Sequence, residues 1–502
     1  MRSVFHSQLN LGEEDIARIK LDPKSRDDIP QLLAGLQYIY TTPELRQSIF
    51  KMLEEVVPTR TGSGKNGKAS TDKGRPGMEQ WRILVLGTLR LGLNADYDRI
   101  HELANQHCTV RQMLGHGFAD YKDQYHLQTI KDNLSLFTPE LLDRINQEVV
   151  RSGHILLKKK DLNLSGRCDS FVVKTDVHFP TDINLLFDAI VKTIEECVQL
   201  CELHNLTGWR QGQYNIKTFK KQYRIIQKQK HSTSKDETKK LAYEEAVKKS
   251  HESYINQAEA FLKRAAVTRQ TVLTQSAELV LSVKDLDGYI AHAERQIDQI
   301  RRRAINGIVI PHSEKVFSIF EPHTEWISKG KAGVPVELGL RVCVLEDRNG
   351  FILHHRVMEK ETDDKIAVTM ITQAKERFPR LTLCSFDKGF HSPQNQLDLK
   401  KELTTVVLPK KGRLSLADKE RESAPEFTEA RQQHSAVESA INALGVHGLD
   451  LCRDHGIDGF KRYVALAVVA RNIQRLGAII RSLAATKRGP YKKLAPYNKL
   501  AA

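Results

Sequence analysis

Apolar and polar positions change their spacing several times along the chain, and each change marks a boundary. Residues 10–57 repeat apolar side chains at helical intervals, as in PQLLAGLQYIY and ELRQSIFKMLEEVV, which predicts a small helical region over 1–58. Residues 59–77, TRTGSGKNGKASTDKGRPG, carry no period; polar, glycine-rich and basic, they read as a flexible linker. From Met78 come three short amphipathic segments, MEQWRILVLGTLRLGLN, ADYDRIHELANQHC and TVRQMLGH, with Asp96 and Thr109 placed as caps. With two helices over 124–152 they predict a helix-turn-helix-like DNA-binding domain over 78–160. FVVKTDV is short and β-branched, a strand carrying Asp176, and Pro180, Thr181 and Asp182 open a helix. Residues 184–310 are helical in pattern and free of proline, as expected of a hairpin or coiled-coil insertion.

Beyond Pro311 the spacing turns to that of strands. VELGLRVCVLEDRNGFILHHRVMEKE predicts two strands about a turn over 347–350. Next comes a helix with Ile366, Met370, Ala374 and Phe378 on one side, and then a strand ending in LCSFDKGFHSPQN at Asp387. A helix through PQNQLDLKKEL, a strand TTVVLPKK, a helix over 427–444 carrying Glu438, and a long apolar helix complete the fold before a basic, disordered tail over 484–502. This order predicts a mixed α/β protein. Its catalytic domain, 161–183 with 311–483, is ribonuclease H-like, a mixed five-stranded sheet flanked by helices. A helical insertion follows the first strand, and an all-α region precedes it.

Charge narrows the partners. Lysine and arginine number 77 against 62 acids, a net charge of +15 with a pI near 9.3, which favours a polyanion such as nucleic acid or an anionic membrane. No run reaches ~18 uninterrupted apolar residues, and the first residues lack an apolar signal core, so DNA is preferred, no membrane is expected, and a cytoplasmic location follows. Arg75, Arg82, Arg99 and Arg111 are the candidate contacts of the DNA-binding region. Residues 210–240 hold ten basic residues against two acids, and direct DNA contact there competes with a merely solvated face. Seven scattered cysteines form no CxxC pair, so reduced thiols are expected. Cys197, Cys201 and His204 share a helical face, but buried thiols on an apolar helix explain them better than a metal. Gly62, Gly67 and Lys68 fit GxxxxGK, yet Ala69 stands where a hydroxyl is needed and no buried strand leads in.

In the expected sheet the first and fourth strands are neighbours, so Asp176 and Asp387 would meet, and the helix crossing beside them adds Glu438. Taken alone, Asp387 reads equally as a turn former. Asp169 and Asp182 compete with Asp176 as the first acid; Asp176 is preferred as the mid-strand residue, Asp182 being well used as a helix cap. Three crowded carboxylates call for divalent cations, and hard oxygen donors select Mg²⁺ or Mn²⁺, two ions about 4 Å apart in the arrangement suited to phosphoryl transfer. His434 and Arg431, one and two turns before Glu438, and Lys388 are candidate phosphate helpers, with surface ion pairs as the competing reading.

At TDVHFPTDINLLFDAI, SFDKGFHSPQN and HSAVESAINALGVHGL the chain resembles the DDE transposases of bacterial insertion sequences, most of all the ISNCY group. GRPGMEQWRILVLGTLRL with DYDRIHEL looks like the helical DNA-binding segment that precedes such domains. The resemblance implies an integrase-like enzyme of a mobile genetic element, with Asp176, Asp387 and Glu438 as catalytic and metal-holding residues. It would bind the terminal inverted repeats of its insertion sequence and target DNA, act in DNA transposition and recombination as a homodimer or larger synaptic complex, and associate with the bacterial nucleoid when bound. Related groups carry Arg four and Tyr seven residues before the Glu and a Lys after it; here those positions are His434, Arg431 and Gly445. A DNA-binding protein of transposase descent without activity, and a nuclease on the same fold, are the alternatives.

Overall fold

The computed structural model of the chain describes residues 3–5, 15–56, 77–117, 124–158, 163–229, 236–275, 280–328 and 335–487. Seven α-helices precede the first strand among them: α1 (Asp28–Thr41), α2 (Pro43–Leu53), α3 (Gln80–Gly92), α4 (Tyr97–Gln106), α5 (Cys108–Met113), α6 (Leu127–Leu134) and α7 (Pro139–Leu156). Strand β1 (Leu164–Thr175) leads to α8 (Asp182–Leu203), α9 (Gly212–Lys228), α10 (Glu237–Gln275) and α11 (Lys284–Ile300). Then follow β2 (Glu325–Ser328), β3 (Val336–Asp347), β4 (Ile352–Met358), α12 (Asp363–Arg377), β5 (Leu381–Phe386), α13 (Pro393–Glu402) and β6 (Thr405–Val407). The chain ends in α14 (Leu416–Ser423), α15 (Pro425–His434), α16 (Ala436–Leu444), β7 (Leu451–Cys452) and α17 (Gly456–Lys487). It divides into two units, one of residues 1–175 with 327–502 and the other of 176–326. The 59–77 linker lies outside the described residues except for Gly77, as does the tail beyond residue 487.

β1 organises the first unit. It pairs antiparallel with β3, Asp169 opposite Val344, and parallel with β5, Cys168 opposite Phe386. β6 runs parallel to β5, β4 turns back antiparallel on β3, β2 also pairs with β3, and β7 adds to the end of β1, making a seven-stranded mixed sheet. The parallel pairs need crossovers, which α12 and α13 supply. Side chains alternate between two buried faces: Cys168, Leu345 and Phe386 pack with Ile366 and Met370 of α12, while Val173, Val342 and Val344 join the core of α1, α3 and α17. All seven cysteines are free, Cys168 and Cys343 lying Sγ to Sγ at 3.4 Å. The hairpin turn is made by a buried aspartate: Asp347 Oδ1 accepts from the backbone N–H groups of Asn349 and Phe351 at 2.8 and 2.9 Å, and Gly350 takes φ +80°.

The N-terminal helices are part of this unit rather than a domain of their own. α3 is apolar nearly all round, and residues from Trp81 to Leu91 sit in the same core as Phe460, Val464, Val468 and Ile473 of α17. α17 itself is long and apolar enough to cross a bilayer, with mean hydropathy 1.3 over its most apolar window, yet 78% of that window is buried inside the protein, as a central core helix requires. Asp96 caps α4 as expected, its Oδ1 accepting from Arg99 N at 2.8 Å, whereas α5 is capped by His107 and not Thr109.

The second unit is a helical assembly with its own core. Leu186, Ile190, Phe219, Tyr254, Phe261 and Ile297 meet at its centre, with Phe219 stacked on Tyr254 at 4.6 Å between ring centres. Its limits, 176–326, are wider than the expected 184–310, because Phe179, Phe317 and Trp326 cluster where the chain enters and leaves. Cys197 and Cys201 lie in this apolar core, and burial pushes the Cys197 thiol up to about 12.

Candidate active site

The expected first strand is displaced. It runs over 164–175, begins well before FVVKTDV and stops short of Asp176, so Asp169 and not Asp176 is the mid-strand acid. Thr175 is six residues past Asp169 on an extended strand, ~20 Å along. The strand thus carries its end away from β5, and Asp176 is an exposed residue that opens the second unit. Asp182 belongs to the second unit, where Thr181 caps α8 and Asp182 pairs with Arg303 at 2.9 Å. Contrary to the expected mid-strand place of Asp176, it is Asp169 that the parallel register sets beside the end of β5, where Asp387 follows Phe386.

Asp387 takes part in the turn that follows β5 through its backbone alone. It begins a short 3₁₀ turn, but its side chain bonds to none of the turn's N–H groups, and the carboxylate is exposed. Asp347, on the neighbouring hairpin, does what a turn aspartate does. Glu438 comes from α16, held against the sheet by the buried Val437, Ala440 and Leu444. The single helix expected over 427–444 is broken at Ser435 into α15 and α16, which puts Glu438 in the first turn of its helix.

The electrostatics of Asp169 show which acids share its surroundings. Burial pushes its carboxyl up to about 6; a hydrogen bond from Ser170 N at 2.7 Å works against this, and repulsion from Asp387, Asp363 and Glu438 adds to it. Asp363, in the first turn of α12, is an acid that sequence reasoning missed. Its Oδ1 is buried without a hydrogen-bond partner, and Gly389 leaves it room, since a Cβ there would lie 3.0 Å from Asp363 Oδ2. No sequence spacing links Asp363 to the others; only the fold does. The donor set, all carboxylate oxygen, suits Mg²⁺ or Mn²⁺. Among the described residues no three His, Cys, Asp or Glu side chains stand close enough to hold an ion as they are, so the acids form a charged neighbourhood and not a finished cage.

The helpers divide. His434 Nδ1 lies 3.0 Å from Ser385 Oγ, itself buried at the end of β5. Burial lowers the His434 pKa, Asp387 and Glu438 oppose that shift, and Arg167 reinforces it. Arg167 bridges β1 and α15, donating to Glu346 Oε2 at 2.7 Å and to Gln433 O at 3.4 Å. Arg431 is exposed and reaches Glu422 at 3.9 Å, an ion pair of the kind that competes with its helper role. Lys388 is exposed beside Asp387.

The candidate DNA contacts of the N-terminal region fare unevenly. Arg82 pairs with Glu79 at 2.9 Å and sits against Tyr125, while Arg111 is buried and donates to Ala104 O at 3.3 Å, so both are turned inward. With α3 apolar all round, periodicity could not assign an outer face. Arg99 is exposed, and Arg75 lies outside the described residues.

Compared with protein-family models, curated proteins and solved structures, the chain matches none.

Proposed function

We propose that the chain is a DNA strand-transfer enzyme of the DDE transposase kind, with Asp169, Asp387 and Glu438 as its catalytic acids. The observation that carries this reading is the parallel register of β1 on β5, which sets Asp169 beside Asp387, with Asp363 of α12 and Glu438 of α16 near enough to repel the buried Asp169 carboxyl. Acids far apart in sequence that come near one another from a strand, a strand end and two helix starts destabilise the fold by mutual repulsion, and a function that needs a cation offsets that cost. The sheet supports it too: β3, β1, β5 and β6 in that order, with β4 outside β3 and the last two strands parallel to β1, is the strand order of the ribonuclease H fold.

Asp169, Asp387 and Glu438 would hold the metal. When bound, a pair of divalent ions supplies the charge that lets these carboxylates ionise together and acidifies an attacking water or 3′-hydroxyl. The chain's own residues do the rest. Ser385 holds one ring nitrogen of His434, and the other has no protein partner among the described residues, leaving it to meet a phosphate oxygen. Lys388, exposed beside Asp387, adds positive charge where phosphate would lie. Arg167 fixes α15 to β1 and so keeps His434 over the acids. The net charge of +15 suits the DNA substrate, its terminal inverted repeats and a second duplex as target.

The test is incubation of the purified protein with labelled duplexes taken from the flanks of its own gene, with Mg²⁺. Nicked and joined products are expected, and Asp169→Asn, Asp387→Asn and Glu438→Gln should each remove them while Asp176→Asn retains them. Cleavage by Asp169→Asn at the parent rate would refute the assignment, and cleavage without joining by the parent would favour a nuclease.

A further inference from the structure

Helix α9 of the second unit carries Lys217, Lys220, Lys221, Arg224 and Lys228 and no acidic residue. Their spacing of 3, 4, 7 and 11 residues places all five on one stripe, ~16 Å long at 1.5 Å per residue. The stripe faces outward: all five are exposed, while Phe219 and Ile226 on the other side are buried in the unit's core.

A row of charges on a helix is usually just a solvated face, and three observations argue otherwise here. Other arginines of this unit have partners, Arg269 with Asp287, Arg301 with Glu259, Arg302 with Glu314 and Arg303 with Asp182, whereas the five of α9 form no ion pair among the described residues. The long helix α10 mixes its lysines with Glu237, Glu244, Glu245 and Glu252, so basic charge is not the rule for the unit. Within α9, Lys217 and Lys221, Lys220 and Arg224, and Arg224 and Lys228 are like charges four residues apart, an arrangement that weakens a helix and that a row of anions relieves.

We propose that α9 docks on the phosphate backbone of duplex DNA and is a principal DNA-binding surface of this protein, a role the inward-turned Arg82 and Arg111 leave open. The choice of DNA among polyanions rests on the proposed function. Of the two glutamines among these cations, Gln222 lies off the stripe and Gln227 Nε2 donates to Tyr223 Oη, so the stripe presents lysine and arginine to phosphates, contributing affinity without sequence preference.

The experiment is titration of the full chain against a fluorescent duplex of mixed sequence over a range of salt. The variants are the fivefold Lys217→Gln, Lys220→Gln, Lys221→Gln, Arg224→Gln, Lys228→Gln and, in case it folds poorly, the paired Lys220→Gln, Arg224→Gln, with Lys240→Gln, Lys248→Gln as control. Each lost phosphate contact lowers the log–log salt slope by ~0.9. The fivefold variant should therefore flatten it by roughly 4 to 5 and bind at least tenfold more weakly at low salt, the pair should lose a proportionate share, and the control should match the parent. Unchanged slope and affinity in both α9 variants would overturn the proposal. So would loss of binding to phosphatidylserine vesicles with duplex binding intact, which would make the partner a membrane. DNA binding through α9 without cleavage leaves this inference standing and removes the catalytic reading; cleavage by a protein whose α9 variants bind normally does the reverse.

Discussion

His354 is held neutral by its neighbours. Its Nε2–H donates to Gln373 Oε1 at 3.1 Å and its Nδ1 accepts from Arg377 Nη1 at 2.8 Å, while burial, His355 and Arg377 push its pKa down to about 3. Above its ordinary value of 6.5 neither folded nor unfolded chain binds the proton. As pH falls from there toward about 3 only the unfolded chain does, so stability present at neutral pH is lost on that acid side, by about 1.4 kcal/mol per pH unit for this group. His354→Gln should make the fall in the urea midpoint between neutral pH and pH 5 shallower; an unchanged slope would mean that His354 titrates normally. Among the candidate acids, Asp387 and Glu438 could be picked out because each stands in a motif at the end or on the face of a clear element. Asp169 was seen only as a competitor: Ser165, Gly166, Arg167 and Ser170 around it hide the strand, whose sign is the alternation of Leu164, Gly166 and Cys168 toward the core. Asp363 and Ser385 left no sequence signal at all, since each matters only through what folds beside it.

The helices α1 and α17 touch backbone to backbone. A Cβ at Gly35 would lie 2.2 Å from Ile473 O and one at Gly477 1.9 Å from Gln31 O. Gly477→Ala must force the pair apart and should cost about 1–3 kcal/mol in the unfolding midpoint. Gly288 is the internal comparison: it is exposed in α11 with nothing within 4 Å of an added Cβ. Gly288→Ala should be neutral to stabilising by about 0.5–1 kcal/mol, from helix propensity alone. Equal effects of the two substitutions would contradict the close crossing of α1 and α17. Elements with strict periodicity, the 347–350 hairpin and α12 with Ile366, Met370, Ala374 and Phe378, lie where the pattern puts them. The break at Ser435 and the His107 cap do not announce themselves, because a serine within an otherwise helical run and a histidine cap both resemble ordinary helix composition.

The apolar core of the second unit is separate from those on the two faces of the first unit's sheet, which implies two cooperative units. Calorimetry of the whole chain should resolve two transitions, and Phe219→Ala, which empties the ring stack on Tyr254, should lower only one of them, at a cost of about 3–5 kcal/mol. Transitions that move together would argue for a single unit. The insertion was legible as a long proline-free helical stretch; the merging of the N-terminal helices with α17 was not, since an apolar segment such as α3 does not say which partner covers it. The proposed chemistry requires Asp169, Asp387 and Glu438 to share one place. Titration with Mn²⁺, following free ion by electron paramagnetic resonance, tests this most directly. The parent and Asp176→Asn should bind the ion alike, and Asp169→Asn, Asp387→Asn and Glu438→Gln should each weaken it at least tenfold. Undiminished binding by Asp169→Asn together with its loss in Asp176→Asn would place the metal-holding acid at the end of β1 and rule out Asp169.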